Sequence, residues 1–335
     1  MRLIAPDYYP QFRCIADKCR HSCCIGWEID IDPDTREKYR HVPGPFGERL
    51  NASIDDGEVS VFHLGQDERC PMLNVSGLCD LITALGEGAL CQICADHPRF
   101  RNYFGQPEVE PCSTSDSDCL QSPSVTSTRP CAGGWSRTEI GLGLCCEEAA
   151  RLILTRETPM RLIALEDDGT EEALTEDEED LLAIRDTLIC TMQDRTLPLT
   201  ERLDQLLALG GRRIPKRNWA EVYLDLERLD PAWEHHITAL PPNISKGLPG
   251  SFPAAYDIAF EQFCVHLLYR HIPGAMEDDD LPGRVAFCVL STQVLMALCA
   301  ADGADVIDLA RMYSAEIEYD EDNIAALLDA LWEDD

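Results

Sequence analysis

Basic residues are scarce in this sequence. Only 28 Lys and Arg stand against 61 Asp and Glu, so the formal net charge is -33 over 335 residues. A surface of that sign repels a phosphate backbone, and we therefore expect no nucleic-acid partner. The same charge would attract a basic protein such as one that presents lysines, although solubility alone also explains it.

Apolar segments of membrane length are also missing. The first residues are interrupted by Pro6 and Pro10 and contain no run typical of a secretory signal. The longest uncharged stretch, residues 285–301, has polar side chains at its middle and is short for a membrane span. We expect it to be a buried core helix, and we expect a cytoplasmic protein with no membrane partner.

Familiar catalytic signatures are absent too, since the sequence contains no HExxH, P-loop or Gly-x-Ser-x-Gly motif. Residues 139–143 (EIGLG) precede a helical pattern, but Cys145 stands where a nucleotide-binding turn would need a third glycine. We interpret these glycines as residues that mark the boundary of the helix that follows. A nucleotide cofactor, if one is used, would therefore not bind in a common Rossmann site.

Cysteine, by contrast, is abundant, and 13 of the 17 cysteines lie at or before Cys146. Because cytoplasmic thiols stay reduced, such clustering indicates a metal before disulfides. The uneven distribution also divides the chain. We predict a cysteine-rich metal-binding domain at 1–144, with a flexible insertion at about 106–137, and an α-helical domain at 145–335 with an acidic loop and tail.

The predicted fold class is mainly α. The first domain is rich in Gly, Pro and Cys, so we expect it to have little regular structure and to be stabilised by a bound metal. In the second domain apolar residues recur at three- and four-residue spacing, which predicts helices that stop at 210–211 and 273–274. Four cysteines fall singly inside these patterns and are expected to be core thiols: Cys190, Cys264, Cys288 and Cys299.

The candidate metal ligands fall into four groups along the chain. Thiolates bind zinc and iron–sulfur clusters well, and four of them complete a tetrahedral site. Only the pair in LCQIC has the two-residue spacing that directs both sulfurs at one ion from a single turn. The other gaps are irregular, so zinc and iron–sulfur both stay open, as does the ligand set. The candidates are Cys14, Cys19, Cys23, Cys24, Cys70, Cys79, Cys91, Cys94, Cys145 and Cys146.

Adjacent cysteines pose a separate question. Neighbouring side chains point in different directions, so we expect one member of each pair to bind a given ion while the other packs or binds at a second site.

The cysteine spacing of a radical S-adenosylmethionine enzyme is only half present. Cys19 and Cys23 match its first gap of three residues, but Gly26 occupies the position of its third cysteine. The three cysteines of the insertion are not assigned as ligands.

Taken in order, the N-terminal half resembles the flagellin lysine N-methylase family, which belongs to a wider group of cysteine-rich, zinc- or iron-chelating domains. The matching pieces cover most of residues 6–156. The chain departs from the family's pattern at the insertion, where a much shorter link is expected. The pieces are PDYYPQFRC, CCIGWEIDID, CPML followed by GLC, GEGALCQIC followed by HPRF and FG, and GLCCEEAARLIL.

The resemblance implies methyl transfer from S-adenosylmethionine to lysine ε-amines of flagellin, and a metal or iron–sulfur centre held by the ten cysteines named above. Such a transfer needs a neutral, desolvated amine, which aromatic rings and a proton acceptor promote. The sequence does not identify catalytic residues, because the favoured interpretation is that Trp27 packs on the metal site and the three acids face water on a strand or turn. The candidates are Trp27, Glu28, Asp30, Asp32, Tyr103 and Phe104.

Two other functions stay open at this point. One is a non-catalytic metal-binding or chaperone-like module whose acidic helical half docks a basic partner protein. The other is a redox protein that uses an iron–sulfur cluster for electron transfer. Binding of S-adenosylmethionine would separate the methyltransferase from both, and iron content would separate the redox protein from a zinc module.

Overall fold

The structure is a computed structural model that describes residues 1–26, 28–65, 68–105, 135–169, 172–242, 244, 252 and 254–332. The candidate aromatic residue Trp27 lies outside the described residues. So does most of the predicted insertion, with its three unassigned cysteines. Arg137, where we placed the end of the insertion, already begins a strand.

The described strands form two sheets. The larger has the order β5-β6-β1-β7, with β1 parallel to β6 and antiparallel to β7, while β5 and β6 are antiparallel. The smaller is antiparallel with the order β2-β4-β3. The strands are β1 (Arg2–Pro6), β2 (Asp30–Ile31), β3 (Ile54–Asp56), β4 (Ser60–Phe62), β5 (Arg99–Phe104), β6 (Arg137–Leu142) and β7 (Leu162–Asp167).

Four short helices accompany the smaller sheet within the described N-terminal residues: α1 (Pro33–Arg40), α2 (Gly44–Ala52), α3 (Asp80–Leu85) and α4 (Gln92–Asp96). Asp32 caps α1 by accepting from the backbone N–H of Thr35 at 2.9 Å. Aromatic and aliphatic side chains form a small core that includes the buried sulfurs of Cys70 and Cys91. Thiols are therefore part of the packing in this region.

The expectation of little regular structure in the N-terminal part is wrong. This part contains both sheets, apart from β7, which follows the predicted boundary at 144 and completes the larger one. The strands here span two to six residues. Segments that short show almost no alternating pattern, and they form only because partners distant in sequence pair with them.

The C-terminal part is helical, as predicted. A left-handed Gly211, with φ of +76°, ends α7, and α10 ends just before Pro273, so both predicted stops are confirmed. A π-helical turn, Ser314–Glu318, follows α13. The helices are α5 (Glu147–Leu154), α6 (Glu176–Met192), α7 (Leu199–Gly210), α8 (Trp219–Asp225), α9 (Pro231–Thr238), α10 (Ala254–His271), α11 (Ala275–Asp278), α12 (Leu281–Asp302), α13 (Val306–Tyr313) and α14 (Glu321–Trp332).

Helix α12 is the apolar centre of the helical part. By length and composition its segment Leu281–Ala301 could cross a membrane, but 83% of the apolar window is buried inside the protein. The prediction of a buried core helix is therefore confirmed. Cys264, Cys288 and Cys299 are buried as predicted, whereas Cys190 is exposed, because it lies on the outer face of α6.

A buried ion pair fastens the larger sheet to the helices. Glu139 of β6 accepts hydrogen bonds from Arg185 of α6, and both side chains are fully buried. Arg137 donates to the same carboxylate, with its Nε at 3.0 Å. Helix α6 begins with a capping box formed by Thr175 and Glu178, and four acids of the predicted acidic loop lie in its first turn. This arrangement fixes β6, whose end leads directly into α5.

Candidate functional site

The first group of thiols lies where the backbone around residue 70 pairs with two other segments. The N–H of Cys70 donates to the carbonyl of Cys24 at 2.9 Å, and the chain then turns back to pair with the segment of Cys79. Burial raises the pKa of Cys70 to about 12, and neighbouring sulfurs add to that rise. Helix α4 and its N-cap residue contribute two more sulfurs. We call this set the first thiol group: Cys24, Cys70, Cys79, Cys91 and Cys94.

Backbone amides stabilise the charged form of these sulfurs. Burial raises the pKa of Cys79, and two N–H groups in the first turn of α3 oppose the rise. One backbone N–H acts in the same way on Cys70. Within the pair in α4, Cys94 donates to Cys91, which lowers the pKa of Cys91 and raises that of Cys94. Because the thiolate is the form that binds metal, the local backbone favours ligation.

The second group of thiols gathers where the N-terminal loop meets α5. Cys146 is the N-cap of α5, and burial, aided by Cys14, raises its pKa. Cys19 Sγ lies 3.7 Å from a carboxylate oxygen of Glu147. Burial raises the pKa of Cys19 to about 11, with further contributions from Glu147 and Cys146. We call this set the second thiol group: Cys14, Cys19, Cys23 and Cys146.

The adjacent cysteines Cys23 and Cys24 belong to different groups. The thiol of Cys23 donates to Cys24, and this hydrogen bond lowers the pKa of Cys24 to about 7. Beyond that contact, Cys23 interacts with sulfurs of the second group, while Cys24 interacts with sulfurs of the first. The two thiol groups therefore adjoin at this pair, and each contains one of its members.

Cys145 has neighbours of a different kind. Burial raises its pKa to about 12, and a hydrogen bond from the Tyr319 hydroxyl opposes the rise. Gly143 permits this approach, because a Cβ there would collide with that hydroxyl. Behind Tyr319 lies the fully buried carboxylate of Glu318, which pairs with His266 at 3.2 Å and His271 at 2.9 Å. Cys145 thus contacts the helical core, whereas Cys146 contacts the second thiol group.

A formed coordination sphere is absent from the described residues: no three His, Cys, Asp or Glu side chains there are arranged to hold a metal ion. The sulfurs are grouped without converging on one point. Their chemistry nevertheless fits a soft or borderline metal, since the donors are thiols, and backbone N–H groups partly oppose the rise in thiol pKa that burial causes.

The catalytic candidates take structural or exposed positions. Asp32 caps α1 and also accepts from the backbone N–H of Gln92 at 2.9 Å, which links α1 to α4. Glu28 and Asp30 are exposed. Tyr103 is 44% exposed and its ring centre lies 5.5 Å from that of Trp135, while Phe104 is buried in the core. None of these described residues is placed beside both thiol groups.

A cleft of about 250 Å³ opens beside the second thiol group. Residues next to Cys14 and Cys19 form one side, and the starts of α5 and α13 form the other. Carboxylates outnumber guanidinium groups by four to two, and two isoleucines supply apolar walls. The lining residues are Ile15, Arg20, Glu147, Glu148, Arg151, Asp305, Ile307 and Asp308.

Sequence reasoning missed this cleft. Arg20 contacts Asp308 at 2.8 Å and Glu147 at 2.9 Å, across 288 and 127 sequence positions. Charged residues at such separations give no local pattern that would pair them.

The glycines of EIGLG are also placed differently from our prediction. Gly141 lies within β6, where its missing side chain leaves room for Phe100, so these glycines do not mark a helix boundary.

Together the fold and site define a mainly helical protein whose thiol-rich N-terminal part packs against the helices. Two similar curated proteins are named Lysine-N-methylase, one from Salmonella typhimurium (strain LT2) and one from Salmonella choleraesuis (strain SC-B67). Each is 28% identical over 133 residues, which cover 36% of this chain and 31% of the relative. A third, "Flagellar biosynthetic protein FliU" of Salmonella muenchen, is 27% identical over 132 residues, or 36% of this chain and 73% of that protein.

These relatives confirm the resemblance to the flagellin lysine N-methylases over about a third of the chain. The matched segment spans about a third of the length of the two lysine N-methylases. No family model matches the sequence, and no solved structure matches the fold.

Proposed function

We propose that this chain is a protein-lysine N-methyltransferase that moves the methyl group of S-adenosylmethionine to lysine ε-amines of flagellin. The main support is that nine of the ten family-type cysteines, spread from Cys14 to Cys146, lie in two adjoining thiol groups. The names of the similar proteins support the lysine and the flagellar substrate.

Each thiol group is proposed to hold its own metal centre. Five sulfurs are available in the first group and four in the second, and either number completes a site for zinc or an iron–sulfur cluster. The core around the first group is small, so a bound metal would add to the stability that its packing provides. When bound, zinc would supply a structural cross-link, and an iron–sulfur cluster would supply electron-transfer capacity.

The acidic cleft beside the second thiol group is proposed to receive the substrate lysine. A lysine side chain is an apolar stem that ends in a cation. Ile15 and Ile307 would contact the stem, and the excess of carboxylates would attract the ammonium group. The carboxylates favour the ammonium form and desolvation opposes it, so transfer requires a cleft carboxylate to take the proton. The neutral amine then attacks the methyl carbon, the bond from sulfur to that carbon breaks, and S-adenosylhomocysteine leaves.

The direct test is the intact mass of flagellin co-expressed with this protein, compared with flagellin expressed alone. We expect mass gains in whole methyl increments that peptide mapping places on lysines. Cys79→Ser and Asp308→Asn should reduce the gain, because they alter the first thiol group and the acidic cleft. Cys190→Ser is the matched control, since Cys190 is an exposed thiol outside both groups.

An unchanged flagellin mass, with the chain folded and its metal bound, would contradict the transferase and favour the metal-binding module that docks a basic partner. Metal analysis of the same preparation separates zinc from iron. Reduced methylation by Cys190→Ser equal to that of Cys79→Ser would show that thiol loss acts without regard to position, and would overturn the assignment of the two groups.

A further inference from the structure

The acidic cleft proposed for the substrate lysine already holds a cation that belongs to the chain itself. Arg20, which follows Cys19 in the N-terminal part, reaches the starts of α5 and α13. Its Nε lies 2.9 Å from Glu147 Oε1, and its Nη2 lies 2.8 Å from Asp308 Oδ1. One guanidinium group thus joins the two walls of the cleft, and an entering ammonium group would need the same oxygens.

The other two carboxylates of the cleft have partners that are fixed in place. Glu148 pairs with Arg151 on the same helix, through contacts of 2.6 and 2.7 Å. Asp305 is the N-cap of α13 and accepts from backbone N–H groups of its first turn. Arg20 differs from both because it comes from a separate part of the chain, so its side chain can leave without disturbing a helix.

Arg20 is held weakly enough to be replaced. Its side chain is 61% exposed, and exposed ion pairs contribute little because water and salt screen them. The backbone N–H of Arg20 also donates to Glu147 Oε2 at 2.8 Å, so the loop stays attached to α5 when the side chain moves. A substrate that covers the cleft would exclude water and so strengthen its own ion pairs with the same carboxylates.

We infer that Arg20 is an internal stand-in for the substrate lysine, an assignment that rests on the proposed function. Its guanidinium occupies the position of the ammonium group between Glu147 and Asp308 until the substrate displaces it. Two consequences follow from this competition. Loss of the Arg20 side chain should tighten binding of the substrate, and a lysine at position 20 should itself be methylated, because its amine lies where the substrate amine would lie.

The first test is calorimetric binding of flagellin to the purified, metal-loaded full chain without S-adenosylmethionine. Arg20→Ala should bind flagellin about threefold to tenfold more tightly than the wild type, because the competing cation is gone. Arg40→Ala is the matched control: Arg40 is 51% exposed and contacts Glu37 at 3.2 Å and Asp56 at 3.7 Å, outside the cleft. Both variants lose one positive charge, so equal tightening would show an effect of net charge and overturn the assignment.

The second test is intact mass and peptide mapping of the chain incubated with S-adenosylmethionine and no flagellin. Arg20→Lys should gain methyl groups at position 20: a cleft carboxylate takes the proton, the amine attacks the methyl carbon, and S-adenosylhomocysteine leaves. Arg40→Lys should gain none at position 40. Lys18 is exposed and forms no ion pair with the described residues, so it should stay unmodified in every variant. Methylation of Lys18 equal to that at position 20 would overturn the assignment.

The outcomes distinguish this inference from the proposed function. Suppose that the wild type methylates flagellin, but Arg20→Ala binds flagellin no more tightly and Arg20→Lys stays unmodified. Arg20 is then a structural ion pair, and the inference is refuted while the proposed function stands. If instead the wild type leaves flagellin unmodified, but Arg20→Ala binds it more tightly than Arg40→Ala does, the proposed function is refuted and Arg20 remains the stand-in for a bound lysine.

Discussion

The buried pair between Glu139 and Arg185 gives the sharpest stability prediction. Glu139→Gln keeps the shape of the side chain and removes its charge. Arg185 would then keep a buried guanidinium whose one remaining acidic contact among the described residues is Asp186 at 3.1 Å, a side chain that is 58% exposed. Breaking a buried pair in this way costs about 3 to 5 kcal/mol. That is a large part of the roughly 5 to 15 kcal/mol that holds a typical domain folded.

Urea unfolding measures the effect. With a slope of about 3 kcal/mol per molar urea, the midpoint should fall by about 1 M or more. Replacing both partners, as Glu139→Gln with Arg185→Met, should recover most of the loss, because the uncompensated charge is then gone. Glu37→Gln is the control: its ion pair with Arg40 joins side chains that are 60% and 51% exposed, and its loss should cost less than about 1 kcal/mol.

A loss below about 1 kcal/mol in Glu139→Gln would refute the reasoning, since it would mean that water or another acid compensates Arg185. A double variant no more stable than the single one would refute it as well, because the loss would then come from packing rather than charge. The pair also fixes β6, so Glu139→Gln should make the start of α5 less rigid and lower the occupancy of the metal proposed for the second thiol group.

Three further outcomes are expected. Cys23→Ser should remove about one of the two proposed metal centres by elemental analysis, because it leaves three sulfurs in the second thiol group, whereas Cys24→Ser leaves four in the first and should retain the proposed centre there. Burial lowers the pKa of His271 to about 4, so stability should fall as pH drops from about 6.5 toward 4, and His271→Asn should flatten that fall by up to about 1.4 kcal/mol per pH unit in urea titrations. Gly143→Ala should lower stability by about 1 to 3 kcal/mol in thermal unfolding, because the Tyr319 hydroxyl occupies the space of the added methyl group.

Each of these has a matched control. His41 is 75% exposed, so His41→Asn should leave the pH dependence unchanged; an equal flattening in both variants would contradict the assignment to His271. Gly88 has open space where a Cβ would lie, so Gly88→Ala should be neutral or slightly stabilising. Equal metal loss in Cys23→Ser and Cys24→Ser would contradict the separation of the two thiol groups.

Local patterns predicted the helical part well. The stops at Gly211 and before Pro273, and the burial of α12, follow from chemistry that acts over a few residues: a left-handed glycine, a proline without an N–H, and a run without charge. Cys190 shows the limit of this reasoning. It lies in an apolar pattern like the other late cysteines, but on a side of α6 that the tertiary packing leaves exposed.

The sheets could not be predicted in the same way. Strands of two or three residues, such as β2 and β3, carry too little pattern, and their existence depends on partners elsewhere in the chain. The acidic cleft has the same origin, since Arg20, Glu147 and Asp308 come from distant segments. Pairing of this kind is decided by the global fold.

The sequence by itself determined the ten clustered cysteines, their order along the chain, the acidic composition and the helical pattern of the second half. Only the tertiary structure decided how those cysteines divide. Adjacent residues such as Cys23 and Cys24 have the same composition around them, yet each thiol interacts with a different set of sulfurs. The physical reason is that a thiol interacts through space over a few ångströms, and the fold, not the spacing, sets which sulfurs come that near.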